Sequence, residues 1–171
     1  MGKNNSVETD SRYHDTWRLL KKYRDVVWSM ELSVQQLSKE FENEYECSID
    51  DFLESVYMAG ADLSGTDIEN HARSIERSNK MLKLVHNAVD LLRTRHKNGE
   101  ALYWILYFTY LSPQKLKNSD EIMEHLRPHI SDISFRTYYR RRKEAVEALS
   151  AMLWGYTAQD SVKLLEEFNI F

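Results

Sequence analysis

Apolar positions recur at helical spacing over most of the chain, and few residues interrupt them. From about Ser11 to Glu46, Trp17, Leu20, Val27 and Leu37 keep that spacing with no Gly or Pro between them, which predicts one long or one broken helix. Ser48-Ile49-Asp50-Asp51 predicts the start of a second helix, because a serine hydroxyl accepts a free N–H of a first turn and acids suit its positive end. That helix is expected to stop between Gly60 and Gly65. A third is expected from near Thr66 to about Lys97, with Arg93, Arg95 and Lys97 in its last turns and Asn98-Gly99 as the stop. Along it Ile68, Ile75, Leu82 and Val89 are seven apart, and Val85 and Leu92 fill two intermediate positions, a short heptad seam. Polar His71 and Ser78 occupy the other two. The seam leaves two readings open, packing against the N-terminal helices of the same chain or the contact of a homodimer.

The pattern changes after Gly99. Glu100 to Leu111 is apolar or aromatic on nearly every side, which predicts a helix buried on most of its surface, with its aromatics in a core rather than stacking on bases. Ser112-Pro113 ends it. Ser119 is expected to cap a short helix with Asp120 and Glu121 in its first turn, Ile122, Met123 and Leu126 on its buried side, and Pro128 as its end. Ser134 then opens a last helix whose apolar stripe is Phe135, Tyr138, Val146, Leu149 and Leu153, with Gly155 as its stop. At 100° per residue, Arg136, Thr137, Arg140, Arg141 and Glu144 turn away from the stripe, Lys143 borders it, and Arg142 falls near its middle, where a carboxylate such as Glu121 or Glu124 would have to meet it.

Composition supports an all-α protein: five Gly and two Pro among 171 residues leave little for the tight turns of a β fold, and 42% apolar residues suffice for a real core. Cys47 stands alone, so neither a disulfide nor a Cys-x-x-Cys zinc site is expected, and the chain reads as a reduced cytoplasmic protein. No apolar stretch approaches a membrane span, the polar start MGKNNSVETDS lacks a signal-peptide core, and Met1-Gly2 is a weak myristoylation signal. No phosphate loop, nucleophile elbow or zincin motif is present, so no enzyme and no cofactor are expected. His125 and His129 are four apart, but Pro128 between them breaks the turn a metal clasp needs.

The net charge of −4 argues against nucleic acid only until its distribution is considered. Glu40, Glu42, Glu44 and Glu46 make the first third acidic, whereas Ser134 to Lys143 holds five basic residues and no acid. A basic outer face at the start of a capped helix that follows a shorter capped helix is the arrangement of a DNA-reading helix-turn-helix. Arg136, Arg140 and Arg141 suit guanine O6 and N7, Thr137 a thymine methyl, and Tyr139 and Lys143 the phosphates at the groove edge.

Leu20-x-x-Tyr23-Arg24, Gly65-Thr66-Asp67-Ile68-Glu69, Ala88-Val89-Asp90-Leu91-Leu92, Tyr110-Leu111, Asn118-Ser119-Asp120-Glu121-Ile122 and above all the run from Ser134 to Ala145 resemble the ArpU family of phage and prophage transcriptional regulators. The resemblance covers most of the chain. It implies a C-terminal half similar to region 4 of sigma factors, action on phage late or lysis genes, and DNA contacts from Ser134, Arg136, Thr137, Tyr139, Arg140, Arg141 and Lys143. The interval from Met123 to Ser134 departs from it, being about five residues longer than the usual turn.

The resulting organisation is an acidic N-terminal helical region over residues 1–65 for assembly or contact with RNA polymerase, a long connecting helix over 66–98, and a DNA-binding unit over 99–171. The competing reading is a non-catalytic helical protein-interaction module, in which acids of the same chain neutralise the arginine face. Exposed single-strand readers are disfavoured because the aromatics are expected inside.

Overall fold

A computed structural model describes residues 3–60, 65 and 67–154, with side chains from residue 11 onward except 49, 52, 53, 56, 57 and 68. All regular structure among the described residues is helical: α1 (Lys3–Tyr45), α2 (Ile49–Ala59), α3 (Asp67–Arg95), α4 (Gly99–Leu106) continuing as a π-helical segment (Tyr107–Leu111), α5 (Ser119–Leu126) and α6 (Phe135–Trp154). None of them is long and apolar enough to cross a membrane. The expected start Met1-Gly2, the stop at Gly155, the boundary residue Thr66 and the side chain of Ile68 lie outside the described residues.

The chain divides into two units, one of residues up to 24 together with those from 83 onward, the other of Asp25–Leu82. In the second unit α1 ends at Tyr45 with Glu46 in the left-handed region at φ 54°, and Ser48 Oγ accepts the Asp51 N–H at 3.1 Å to start α2. Phe41 is buried and its ring lies 4.6 Å from that of Tyr45.

The first unit holds the deeper core. Leu20 and Tyr23 of α1, Val85, Val89 and Leu92 of α3, Leu102 and Leu106 of α4, and Val146 and Leu149 of α6 are all buried. The inner positions of the heptad seam that fall in this unit, Val85, Val89 and Leu92, are therefore covered within the chain itself, and Leu82 in the second unit is buried too. Gly99 does not end α3 by a left-handed turn. It begins α4, and a Cβ there would lie 2.2 Å from the Arg93 carbonyl oxygen, so only glycine admits the close passage of α4 past the end of α3. Asn98 Nδ2 donates to Glu144 at 3.2 Å, and Trp154 Nε1 donates to Thr16 Oγ1 at 2.9 Å, which tie α6 to the α3–α4 corner and to α1.

The stretch from Glu100 to Leu111 is less enclosed than its composition predicts. Leu102, Ile105, Leu106 and Tyr110 are buried, whereas Tyr103, Trp104, Tyr107 and Phe108 are half-buried and stack on one another along one side. Arg93 lies over the Tyr103 ring at 4.0 Å while its guanidinium donates to Glu100 at 2.9 and 2.8 Å, so part of the aromatic side is covered by a cation and its counter-ion. That ion pair raises the Arg93 pKa and lowers that of Glu100.

Candidate nucleic-acid interface

Helices α5 and α6 pack on a small shared core of Ile105, Met123, Leu126, Ile133 and Tyr138, with Ile122 and Ile130 at its edge. The cap of α5 is one residue earlier than expected. Asn118 Oδ1, not the Ser119 hydroxyl, accepts the Glu121 N–H at 3.0 Å, and Glu121 reaches back to the Lys117 N–H at 2.6 Å. Asn and Glu three apart thus satisfy one N–H of the first turn and the N–H of the residue before the cap, a variant of the capping box. Ser119 is left free to hydrogen-bond the Tyr139 hydroxyl at 3.2 Å, joining the start of α5 to α6.

The interval from Met123 to Ser134 is shorter in shape than in residues. After Leu126 the backbone still winds: Arg127 N–H donates to Met123 O at 3.1 Å and Ile130 N–H to Leu126 O at 2.8 Å. Pro128 has no N–H to contribute, and the winding passes it because the bonds on either side are kept. Direction reverses only over Ser131 to Ser134, where Asp132 takes a left-handed φ of 54° and Ile133 drops into the core. Asp tolerates that backbone region better than most side chains do.

Ser134 caps α6 as its sequence predicts: its Oγ accepts the Thr137 N–H at 3.1 Å. The Ser134 hydroxyl donates to Thr137 Oγ1 at 3.0 Å, so both hydroxyls are engaged in the cap itself. Phe135 departs from the expected stripe and is 43% exposed, whereas Tyr138, Val146 and Leu149 are buried.

The basic run separates into three kinds of environment. Arg136 and Arg140, one turn apart, are exposed and make no ion pair among the described residues. Lys143 lies on the same side, with Nζ 4.0 Å from Glu147. Arg141 sits at the border of the buried face and is paired with Glu144 at 3.2 Å, the side chains 25% and 28% exposed. Among the described residues Arg142 makes no ion pair, with Glu121, Glu124 or another acid; its guanidinium lies 5.0 Å from the Tyr139 ring centroid and 5.7 Å from that of Tyr138. A cation against two aromatic faces replaces the expected ion pair. Below it, burial pushes the Tyr110 phenol up to about 12, with the positive charge of Arg142 acting against that shift.

No family model, curated protein or solved structure matches the chain. The ArpU resemblance therefore rests on the residues that carry it, and the geometry has to stand by itself. That geometry brings Ser134, Arg136, Thr137, Arg140 and Lys143 onto the outer side of one helix, with Tyr139 half-exposed at its flank and Arg141 at the opposite border. His125 and His129 do not converge: His129 stacks on Trp104 at 3.7 Å between ring centroids, and the His125 ring nitrogen is bonded to the Glu121 carbonyl. Among the described residues no group of His, Cys, Asp and Glu is arranged to hold a metal ion.

Asp132 and Asn118 shape this region without having been expected to, and Ser119, expected as the cap, instead bonds Tyr139. Asn118-x-x-Glu121 carried a readable capping signal, displaced by one residue because Ser119 is also a good cap. The left-handed Asp132 had no comparable signal, since an Asp between two serines fits many turns.

Proposed function

We propose that this chain is a helical binding module and that its partner is double-stranded DNA, met by the outer side of α6. The observation that carries the proposal is the pair Arg136 and Arg140, exposed, one turn apart, near the capped start of α6 and in no ion pair among the described residues. Two arginines so placed present forked donors to the same groove, which is the disposition that reads guanine edges. The connection supports it too: a left-handed turn at Asp132 and a buried Ile133 join α5 to α6, and the two helices share one small core, as in a helix-turn-helix.

On this reading Arg136 and Arg140 are the base readers and Lys143 a phosphate contact. Thr137 and Ser134 shape the start of the helix, Tyr139 braces α6 on Ser119, and Arg141 stands at the margin, held by Glu144. From the ArpU resemblance the proposal takes its biological setting, regulation of phage or prophage late or lysis genes from the cytoplasm, with RNA polymerase and a second copy of the chain as further partners.

The second reading, a helical protein-interaction module, draws on the ion pairs Arg141–Glu144 and Lys143–Glu147, which neutralise part of the run from within. Selection of bound fragments from a random DNA pool separates the two. A DNA reader enriches one sequence family, and the enrichment disappears with Arg136→Ala/Arg140→Ala. A protein-interaction module enriches none.

A further inference from the structure

Arg24 is the least expected cation in the first unit. It belongs to α1, is half-buried, and faces backbone rather than acid: Nε donates to Ser112 O at 2.7 Å, Nη1 to Thr109 O at 3.2 Å, and Nη2 to Ser112 Oγ at 3.0 Å. These acceptors lie at the C-terminal end of the π-helical segment Tyr107–Leu111, where carbonyl groups lack helical partners. The Ser112 N–H closes that segment on Tyr107 O at 2.7 Å, and the Ser112 hydroxyl donates onward to Gln114 O at 2.9 Å. A guanidinium is the one side chain whose fixed fork serves three acceptors at once.

The same segment holds α6. Thr109 gives its carbonyl to Arg24 and shares a 3.0 Å hydrogen bond between its hydroxyl and that of Tyr138, a residue 1% exposed. Tyr138 lies one helical position from Tyr139 and under Arg142, between the turns that carry Arg136 and Arg140. From α1 to α6 the connection is therefore short and polar inside an otherwise apolar core: Arg24 guanidinium, Thr109, Tyr138. Single π turns inside helices arise where a carbonyl is diverted from its helical partner, and such turns recur at functional positions.

We infer that Arg24 is a positioning residue for α6: it holds the π-helical turn in the register at which Thr109 meets Tyr138, and so sets the direction of the Arg136–Arg140 face. The inference rests on the DNA reading for its functional consequence, and its structural half stands apart from that reading. Arg24 touches no DNA in this account, so its effect on binding is indirect.

The test uses the full chain with Arg24→Met, which keeps the stem and removes all three bonds, Arg24→Lys, which keeps the charge and one bond, and Tyr138→Phe. Backbone hydrogen exchange is followed residue by residue. Arg24→Met is expected to speed exchange about tenfold at amides 110–112 and 138–142, relative to those of α3 from Val89 to Arg93, with Arg24→Lys in between. In the Tyr138→Phe background the same replacement is expected to leave amides 138–142 unchanged, because the connection is already cut. Uniform acceleration across the unit, or effects at 138–142 that simply add, would overturn the inference.

The second arm measures affinity for a selected DNA duplex over a range of salt. Arg24→Met is expected to weaken binding about tenfold without changing the salt slope, since the number of phosphates neutralised stays the same. Unchanged affinity in Arg24→Met overturns the positioning role. A parent protein that binds no DNA overturns the DNA reading instead, and the exchange result then decides the inference alone.

Discussion

On α3, two exposed cations are matched by acids one turn away: Arg73 Nη2 lies 2.5 Å from Glu69, and Lys80 Nζ 3.0 Å from Glu76. On the first two turns of α6, Arg136 and Arg140 are also exposed and make no ion pair among the described residues. The local sequence causes the difference. Glu69-x-x-x-Arg73 and Glu76-x-x-x-Lys80 have the acid first, the favoured order at this helical spacing, whereas Arg140-x-x-x-Glu144 has the reverse order and Glu144 is taken by Arg141 at 3.2 Å and by Asn98 at 3.2 Å. Exposed pairs of the first kind add at most about 1 kcal/mol each to stability. The lack of such a pair at Arg136 and Arg140 among the described residues therefore costs the fold little and leaves two arginines available to an anionic partner. The charge total of −4 therefore says little about this face: Arg141 and Lys143 are paired with Glu144 and Glu147, while Arg136 and Arg140 make no ion pair among the described residues.

The largest effect that would break this comparison is expected from Arg136→Ala/Arg140→Ala. If each arginine reads a base pair bidentately at about 1–3 kcal/mol, the double variant loses specific affinity by about 100-fold or more. Circular dichroism and thermal unfolding should stay as in the parent, because both side chains are exposed. The control on the other side is Arg73→Ala/Lys80→Ala, for which unchanged affinity in the same binding assay is expected; a comparable loss would erase the distinction between the two helices.

The inner side of α6 must stay fixed for its outer side to be presented, and that side can be tested by pH. Burial raises the Tyr110 pKa from 10.0 to about 12, so the folded state holds a proton that the unfolded state releases first. Stability is expected to be level up to about pH 10 and to fall as pH rises from about 10 to about 12, by roughly 2 kcal/mol for this group. Tyr13 and Tyr23, raised by the same cause, act in the same direction. Denaturant unfolding at pH 9 and pH 11 checks it, and Tyr110→Phe is expected to reduce the slope.

Smaller effects sharpen the account. Asp132→Val places a β-branched residue at φ 54° and is expected to cost about 1–2 kcal/mol by denaturant unfolding, whereas Asp132→Gly is expected to be neutral or slightly stabilising. Glu144→Gln releases Arg141 from its 3.2 Å pair, and a gain in DNA affinity of a few-fold is expected, with a steeper salt dependence. No gain would place Arg141 outside the interface altogether.

The helices of this molecule were largely legible in its sequence, because they rest on local rules. Ser48 and Ser134 cap the helices they were expected to cap, and Leu82, Val85, Val89 and Leu92 are buried as their spacing predicts. What was not legible depends on the third dimension. Gly99 reads as a stop and is a point of close passage; Arg142 reads as half of an ion pair and lies on two tyrosine rings. The long interval before Ser134 reads as an oversized turn, yet much of it winds on from α5 through bonds to Met123 and Leu126. Of the candidate site, the one-sidedness of Arg136 and Arg140 followed from 100° per residue, whereas the bond of Ser134 to Thr137 and that of Tyr139 to Ser119 depend on the folded chain.

The most direct test of the central claim is a titration of the parent and of Arg136→Ala/Arg140→Ala against the duplex selected by the parent and against a scrambled duplex of equal length. The account predicts that the parent prefers the selected duplex and that the double variant binds both equally and weakly while remaining folded. Equal binding of both duplexes by the parent, or an undiminished preference in the double variant, would contradict it.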